Sequence, residues 1–78
     1  MNQKKIDEEV KKIFITLFKL KKNNIKLNTN FKNTKKWDSL NHIKLIMAIE
    51  SKFKISIDPD AALKLLSFKD IVKFIKKK

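Results

Sequence analysis

The sequence predicts an all-α protein: a four-helix bundle of three longer helices and one short third helix, with a long loop between helices 1 and 2. Three observations lead there. Apolar residues recur at helical spacing in three separate segments. Ser, Asp and Pro stand where helices would begin. The one alternating piece, Ile55-Ser56-Ile57, is too short for a sheet and has no partner strand. Seventy-eight residues allow one domain, 1–78, with one small core. An apolar fraction of 42% is too high for a typical disordered chain.

Helix 1 is expected over residues 3 to 21. Ile6, Val10, Ile13, Phe14, Leu17 and Leu20 fall at i, i+4, i+7, i+8, i+11 and i+14, a stripe on one helix face. Asp7, Glu8 and Glu9 near its start and Lys19, Lys21 and Lys22 at its end suit the helix dipole. Periodicity then fails from Asn23 to Lys36, where five Asn residues favour turns. Ile25, Leu27 and Phe31 interrupt that stretch at spacings able to pin it to a core, so an ordered loop is expected.

Helix 2 starts at Asp38-Ser39, either of which can cap. Leu40, Ile43, Ile46, Met47, Ile49 and Phe53 give it a wide apolar face. Asp58-Pro59 restarts a short helix, about 59 to 65, with Asp as cap and Pro at the first helical position. Ala62, Leu65 and Leu66 point inward there. Ser67-Phe68-Lys69-Asp70 opens the last helix with a pattern like a capping box. Phe68, Ile71, Val72 and Ile75 form its stripe, with Phe74 beside it, and Lys76 to Lys78 complement its end before fraying.

Composition narrows the function classes. The chain has no Cys. Disulfides, zinc–thiolate sites and thiol nucleophiles are therefore excluded, which suits a reducing compartment. Met1 to Asp7 is polar and lysine-rich, with no apolar stretch behind it long enough for a signal peptide. No run approaches the roughly 20 apolar residues of a membrane span. A cytoplasmic protein without stable membrane insertion is expected.

A net charge of +12 can signal nucleic acid or an anionic membrane surface. Yet every basic residue is Lys, Gly is absent, and Ile and Asn are abundant, the residues of AT-rich codons. Codon composition accounts for much of the charge. The lysines are also spread through all segments rather than gathered on one recognition helix, so no nucleic-acid partner is expected.

No catalytic or metal site is expected. His42 is the single histidine, and no ligand-type residues are spaced around it for a metal. A Ser39–His42 dyad at i, i+3 would lack an orienting third group and an oxyanion site, so His42 reads as a surface histidine near a helix start. Asp58 and Asp60 are explained as a cap and a first-turn acid.

Trp37-Asp38-Ser39-Leu40 stands at the junction of the long loop and an amphipathic helix. Alone it reads as a capped helix preceded by a hydrophobic staple residue. From Asn30 onward, however, the sequence resembles the acyl carrier proteins of fatty acid and polyketide synthesis, where Asp-Ser-Leu opens the second helix. Phe31 sits eight residues before the serine, as the family's loop phenylalanine does. Ile43, Ile46, Met47-Ala48-Ile49-Glu50 and Phe53 follow the family's helix pattern. Ile57, Ala62, Leu65, Phe68, Val72 and Ile75 continue it without a gap.

The resemblance implies that Ser39 receives 4′-phosphopantetheine from coenzyme A through a magnesium-dependent phosphopantetheinyl transferase. The chain would then carry acyl groups as thioesters for fatty acid, polyketide or related specialised biosynthesis, and would catalyse nothing itself. It implies that Asp38, Leu40, Ile43 and Met47 form part of the face read by acyl-loading and acyl-processing enzymes, and that the buried ends of the bundle can shelter an acyl chain. For Ile43, core packing is an equal reading, and Met47 shares a lane with Leu40 and Ile43. A monomer is expected. An aminoacyl or peptidyl carrier with the same arm is one alternative, and a lysine-rich helical nucleic-acid-binding protein is another.

The family's usual members are acidic along helix 2. Here Lys44, Lys52 and Lys54 stand where acids are common, Asn41 replaces the frequent acid after Leu, and only Asp38 and Glu50 keep the expected sign. Dedicated partners with neutral or acidic docking surfaces are expected in consequence. Trp37 and the Ser-Phe-Lys-Asp-Ile-Val segment look more like free-standing specialised carriers.

Overall fold

The computed structural model describes residues 3–78; Met1 and Asn2, part of the polar N-terminal stretch, lie outside it. Among the described residues four α-helices form an all-α bundle: α1 (Gln3–Phe18), α2 (Ser39–Phe53), α3 (Pro59–Lys64) and α4 (Phe68–Lys76), with a 3-10 turn at Lys22–Asn24. Helix α1 packs against both α2 and α4. Its buried stripe is Ile6, Val10, Phe14 and Phe18, each four residues after the last. They meet Leu45, Ile46 and Ile49 of α2 and Phe68, Ile71, Val72 and Ile75 of α4 in one core. Ile13, Leu17 and Leu20 pack at its edge, and Phe18 takes the central place expected of them.

Helix α1 ends three residues early because Lys19 turns left-handed, at φ 56°. A left-handed residue is a common helix stop and usually a glycine. This chain has no glycine. Lys54 ends α2 in the same way, at φ 55°. The shorter α1 also alters the dipole argument: no acid lies in its first turn and no Lys in its last. Macrodipole effects fade beyond those turns. Glu9 instead reaches sideways to Lys52 on α2.

The other three helix starts follow the sequence. Asp38 caps α2 by accepting the Asn41 N–H, which makes Ser39 the first helical residue. Asp58 caps α3 by accepting from Ala61, with Pro59 just inside. Ser67 caps α4 by accepting from Asp70.

The 22–37 segment is ordered as expected, but by partly different means. Ile25, Thr29, Thr34 and Trp37 are its buried residues. Leu27 is exposed and Phe31 half-exposed, so neither is a core anchor. Their backbones do the pinning: Phe31 N–H donates to Leu66 O, Phe68 N–H to Thr29 O, and Lys69 N–H to Leu27 O. These bonds include an isolated antiparallel bridge, Asn30 to Ser67, that ties the loop to the α3–α4 joint. Asn30 and Asn33 brace it from within, accepting from each other's backbone N–H.

Candidate functional site

The loop delivers Trp37 to the core. Its indole stacks on Phe18, with centroids 5.0 Å apart and planes 18° apart, and meets the ring of Phe14 edge-on. Trp37 N–H closes a turn onto Thr34 O, and Asn41 Nδ2 donates to Lys36 O across the junction. The backbone entering α2 is therefore held on both sides of Asp38-Ser39.

Ser39 is exposed at the first position of α2. The Asn41 N–H goes to the Asp38 carboxylate and the His42 N–H to Asp38 O. The amides of Ser39 and Leu40, one turn too early for intrahelical partners, stay with the positive end of the helix dipole. A hydroxyl here can carry a phosphodiester without burying its charge.

Beside Ser39 lies a mostly apolar cleft of about 500 Å³ between the loop, α2 and α3, walled chiefly by Phe31, Trp37, Ile43, Leu63 and Leu66. Its volume lies within the roughly 300–1,000 Å³ of small-ligand sites. This open cleft at Ser39 is a candidate apolar shelter.

Leu40, Ile43 and Met47 are 62%, 58% and 61% exposed, and Leu63 of α3 is 71% exposed. They fall outside the core: of the wide apolar face on α2, Ile46 and Ile49 turn inward while Leu40, Ile43 and Met47 turn outward. Leu45, which that apolar face did not include, is fully buried. The open choice for Ile43 is settled toward the surface: it touches the cleft and solvent. Asp38 is exposed too, with Oδ1 committed to the cap.

His42 is more than a surface residue. It is half-buried, its Nδ1 lies 3.0 Å from Trp37 Nε1, and its Nε2 lies 2.8 Å from Ala62 O. An indole N–H can only donate, so Nδ1 accepts and the proton sits on Nε2, donating to Ala62. Both ring nitrogens are engaged, and neither is left to deprotonate Ser39. Nothing local to His42 cues this bridge, because Ala62 is twenty residues away. Among the described residues no group of His, Cys, Asp or Glu could hold a metal ion. No helix among them is long and apolar enough to cross a membrane.

Comparison with known proteins agrees with this geometry. Residues 8–75 match the family model described as the phosphopantetheine attachment site. The chain is 36% identical over 78 residues to the acyl carrier protein of Guillardia theta, covering 100% of this chain and 96% of that one. It is 34% identical over 73 residues to the acyl carrier protein of Nitratidesulfovibrio vulgaris strain DP4, covering 94% and 96%. It is 35% identical over 78 residues to that of Prochlorococcus marinus strain MIT 9515, covering 100% and 98%. Helical architecture, an exposed serine opening α2 and full-length similarity converge: the chain belongs to the acyl carrier proteins, the family that bears 4′-phosphopantetheine.

Proposed function

We propose that Ser39 is the attachment point of the 4′-phosphopantetheine arm, and that this chain is a carrier rather than a catalyst. The observation that carries the reading is the place of Ser39: an exposed hydroxyl at the dipole-positive start of α2, beside an apolar cleft of about 500 Å³. The arm supplies a thiol, the nucleophile that this Cys-free chain lacks, and its thioesters are activated for acyl transfer. The chain's own residues hold the attachment point still. Asp38 fixes the first turn, Trp37 anchors the junction in the core, and the helix start tolerates the added charge. Tethering raises the effective concentration of cargo at a partner's active site.

Leu40, Ile43 and Met47, with Asp38 at one end, form the face we assign to partner enzymes. Lys44 lies among them, one residue after Ile43 and three before Met47. An acidic or neutral docking patch fits that face, and a basic one is repelled. The expected partners are a phosphopantetheinyl transferase and acyl-loading and acyl-processing enzymes adapted to this charge, meeting a monomeric carrier of one domain.

Incubation with coenzyme A, magnesium and a broad-specificity phosphopantetheinyl transferase, followed by intact mass measurement, tests the reading. A phosphopantetheine-sized increment that Ser39→Ala abolishes is expected. No increment with several transferases, or an increment that survives Ser39→Ala, overturns the assignment.

A further inference from the structure

Helix α3 is weakly held. It has six residues, and none of them is buried. A helix that short does not persist through its own hydrogen bonds. Its attachments include the Asp58 cap at its start, the core contacts of Ala61 and Ala62, the His42 bond to Ala62 O, and, just past its end, the buried Leu65 and the Phe31 N–H bond to Leu66 O. Ala62 O also accepts the Leu65 N–H at 3.3 Å, so imidazole and backbone share one carbonyl at the helix terminus.

The other side of that imidazole is fixed. Trp37 donates to Nδ1, lies nearly parallel to the ring at 20°, and is itself stacked on Phe18 in the core. A continuous chain of contacts therefore runs from α1 through Trp37 and His42 to the end of α3. Leu63 and Leu66, just beyond that bond, wall the cleft beside Ser39.

We propose that His42 is a positioning residue: its Nε2–Ala62 bond latches α3 to the start of α2 and so holds the Leu63–Leu66 wall of the cleft. This rests on the reading of Ser39 as the arm's attachment point only where cargo is concerned; the latch itself is a property of the unmodified chain. A neutral imidazole with its proton on Nε2 is the form that makes both bonds. Cargo on the arm gains shelter because the wall stays in place.

Three substitutions separate the two bonds. His42→Gln puts an amide donor where Nε2 stood and keeps the bond to Ala62. His42→Asn puts an oxygen where Nδ1 stood and keeps only the bond from Trp37. His42→Phe keeps the ring and loses both. On the unmodified chain, amide exchange at Ala62 and Leu65 is expected to rise roughly 3- to 10-fold in His42→Asn and His42→Phe, as for loss of one net hydrogen bond, and to stay near wild type in His42→Gln. The Leu63 and Leu66 methyl resonances should move in the same two variants, while α1 and α4 amides keep their protection and show the bundle intact. Imidazole nitrogen shifts in the wild type should report protonated Nε2 and bare Nδ1. Equal exchange and unmoved methyls in all variants, or a His42→Gln that behaves like His42→Phe, overturns the latch.

Octanoyl-coenzyme A used with the transferase then loads an octanoyl arm. Hydroxylamine should cleave that thioester more slowly on wild type and His42→Gln than on His42→Asn and His42→Phe. Equal cleavage in all four overturns the sheltering role. Failure of the chain to accept the arm overturns the attachment reading instead, and the exchange and methyl data still decide the latch.

Discussion

Glu9 of α1 and Lys52 of α2 form an ion pair across the main helix interface, Oε1 to Nζ 3.0 Å, with Lys12 3.5 Å from the other carboxylate oxygen. The hydrogen bond from Lys52 holds the Glu9 carboxyl below its ordinary value of 4.5; burial opposes this, and Lys12 reinforces it. A carboxyl with a depressed folded pKa stabilises the fold fully above its unfolded pKa and loses that contribution as pH falls through the folded value. Urea unfolding from neutral pH downward should therefore show a declining midpoint on the acid side, and Glu9→Gln should lower the neutral midpoint and flatten that decline. An acid limb equally steep in Glu9→Gln would assign it to other carboxylates.

Two leucines on α2 should behave in opposite ways. Leu45 is fully buried and Leu40 is mostly exposed. Leu45→Ala should cost about 2–5 kcal/mol by opening a cavity. Leu40→Ala should stay within about 0.5 kcal/mol in stability. If Leu40 faces partners, its replacement lowers kcat/KM of an enzyme acting on the loaded carrier while the melting curve is unchanged.

Asp38→Ala removes the side chain that accepts the Asn41 N–H. The expected loss is about 0.5–2 kcal/mol of stability, typical of an N-cap. Because the cap orders the turn that carries Ser39, transferase modification should slow as well; Asp38→Asn, which retains a capping oxygen, should recover the stability. Chemical denaturation and a modification time course read the two effects separately.

Lys54 sits at φ 55° with its backbone N–H on Glu50 O. A side chain in that conformation is strained, and glycine relieves the strain while adding freedom to the unfolded chain. Lys54→Gly should raise stability by a net gain of a few tenths to about 1 kcal/mol, read as a higher urea midpoint at unchanged m.

How much of this could be read beforehand depended on range. Asp38, Asp58 and Ser67 were legible as caps because a cap's partner is three residues away. The α1 and α4 stripes were legible because 3.6-residue periodicity is local. On α2 apolar residues occupy nearly every direction, so periodicity could not say that Leu45 goes in while Leu40, Ile43 and Met47 go out; packing against α1 decides that. Phe18 lies at the edge of the ideal 3.6-residue stripe, where Leu17 and Leu20 compete for the same face, and the early stop of α1 requires a left-handed Lys19, which propensity does not suggest. Of the three apolar residues expected to pin the loop, Ile25 does so by its side chain, while Leu27 and Phe31 do so by their backbones, through pairing with residues some forty positions away. The Trp37–His42–Ala62 bridge was out of reach for the same reason. Ser39 was singled out by its register within a family pattern, since its local motif alone is only a capped helix.

The cap at Asp38 has a counterpart at the far end of α2, where Glu50 Oε2 accepts the Ile57 N–H. Within Ser39–Phe53 the charged residues are Lys44, Glu50 and Lys52. Lys52 is paired with Glu9, and Glu50 accepts a backbone N–H while keeping its own charge, which leaves Lys44 as the helix's cation without an acidic partner. A partner approaching α2 thus meets an apolar strip with a single cation in it rather than a field of like charges. Ionic strength should act on that contact as it acts on one pair, weakly: the cation still disfavours a basic patch, while apolar shape supplies most of the helix's contribution.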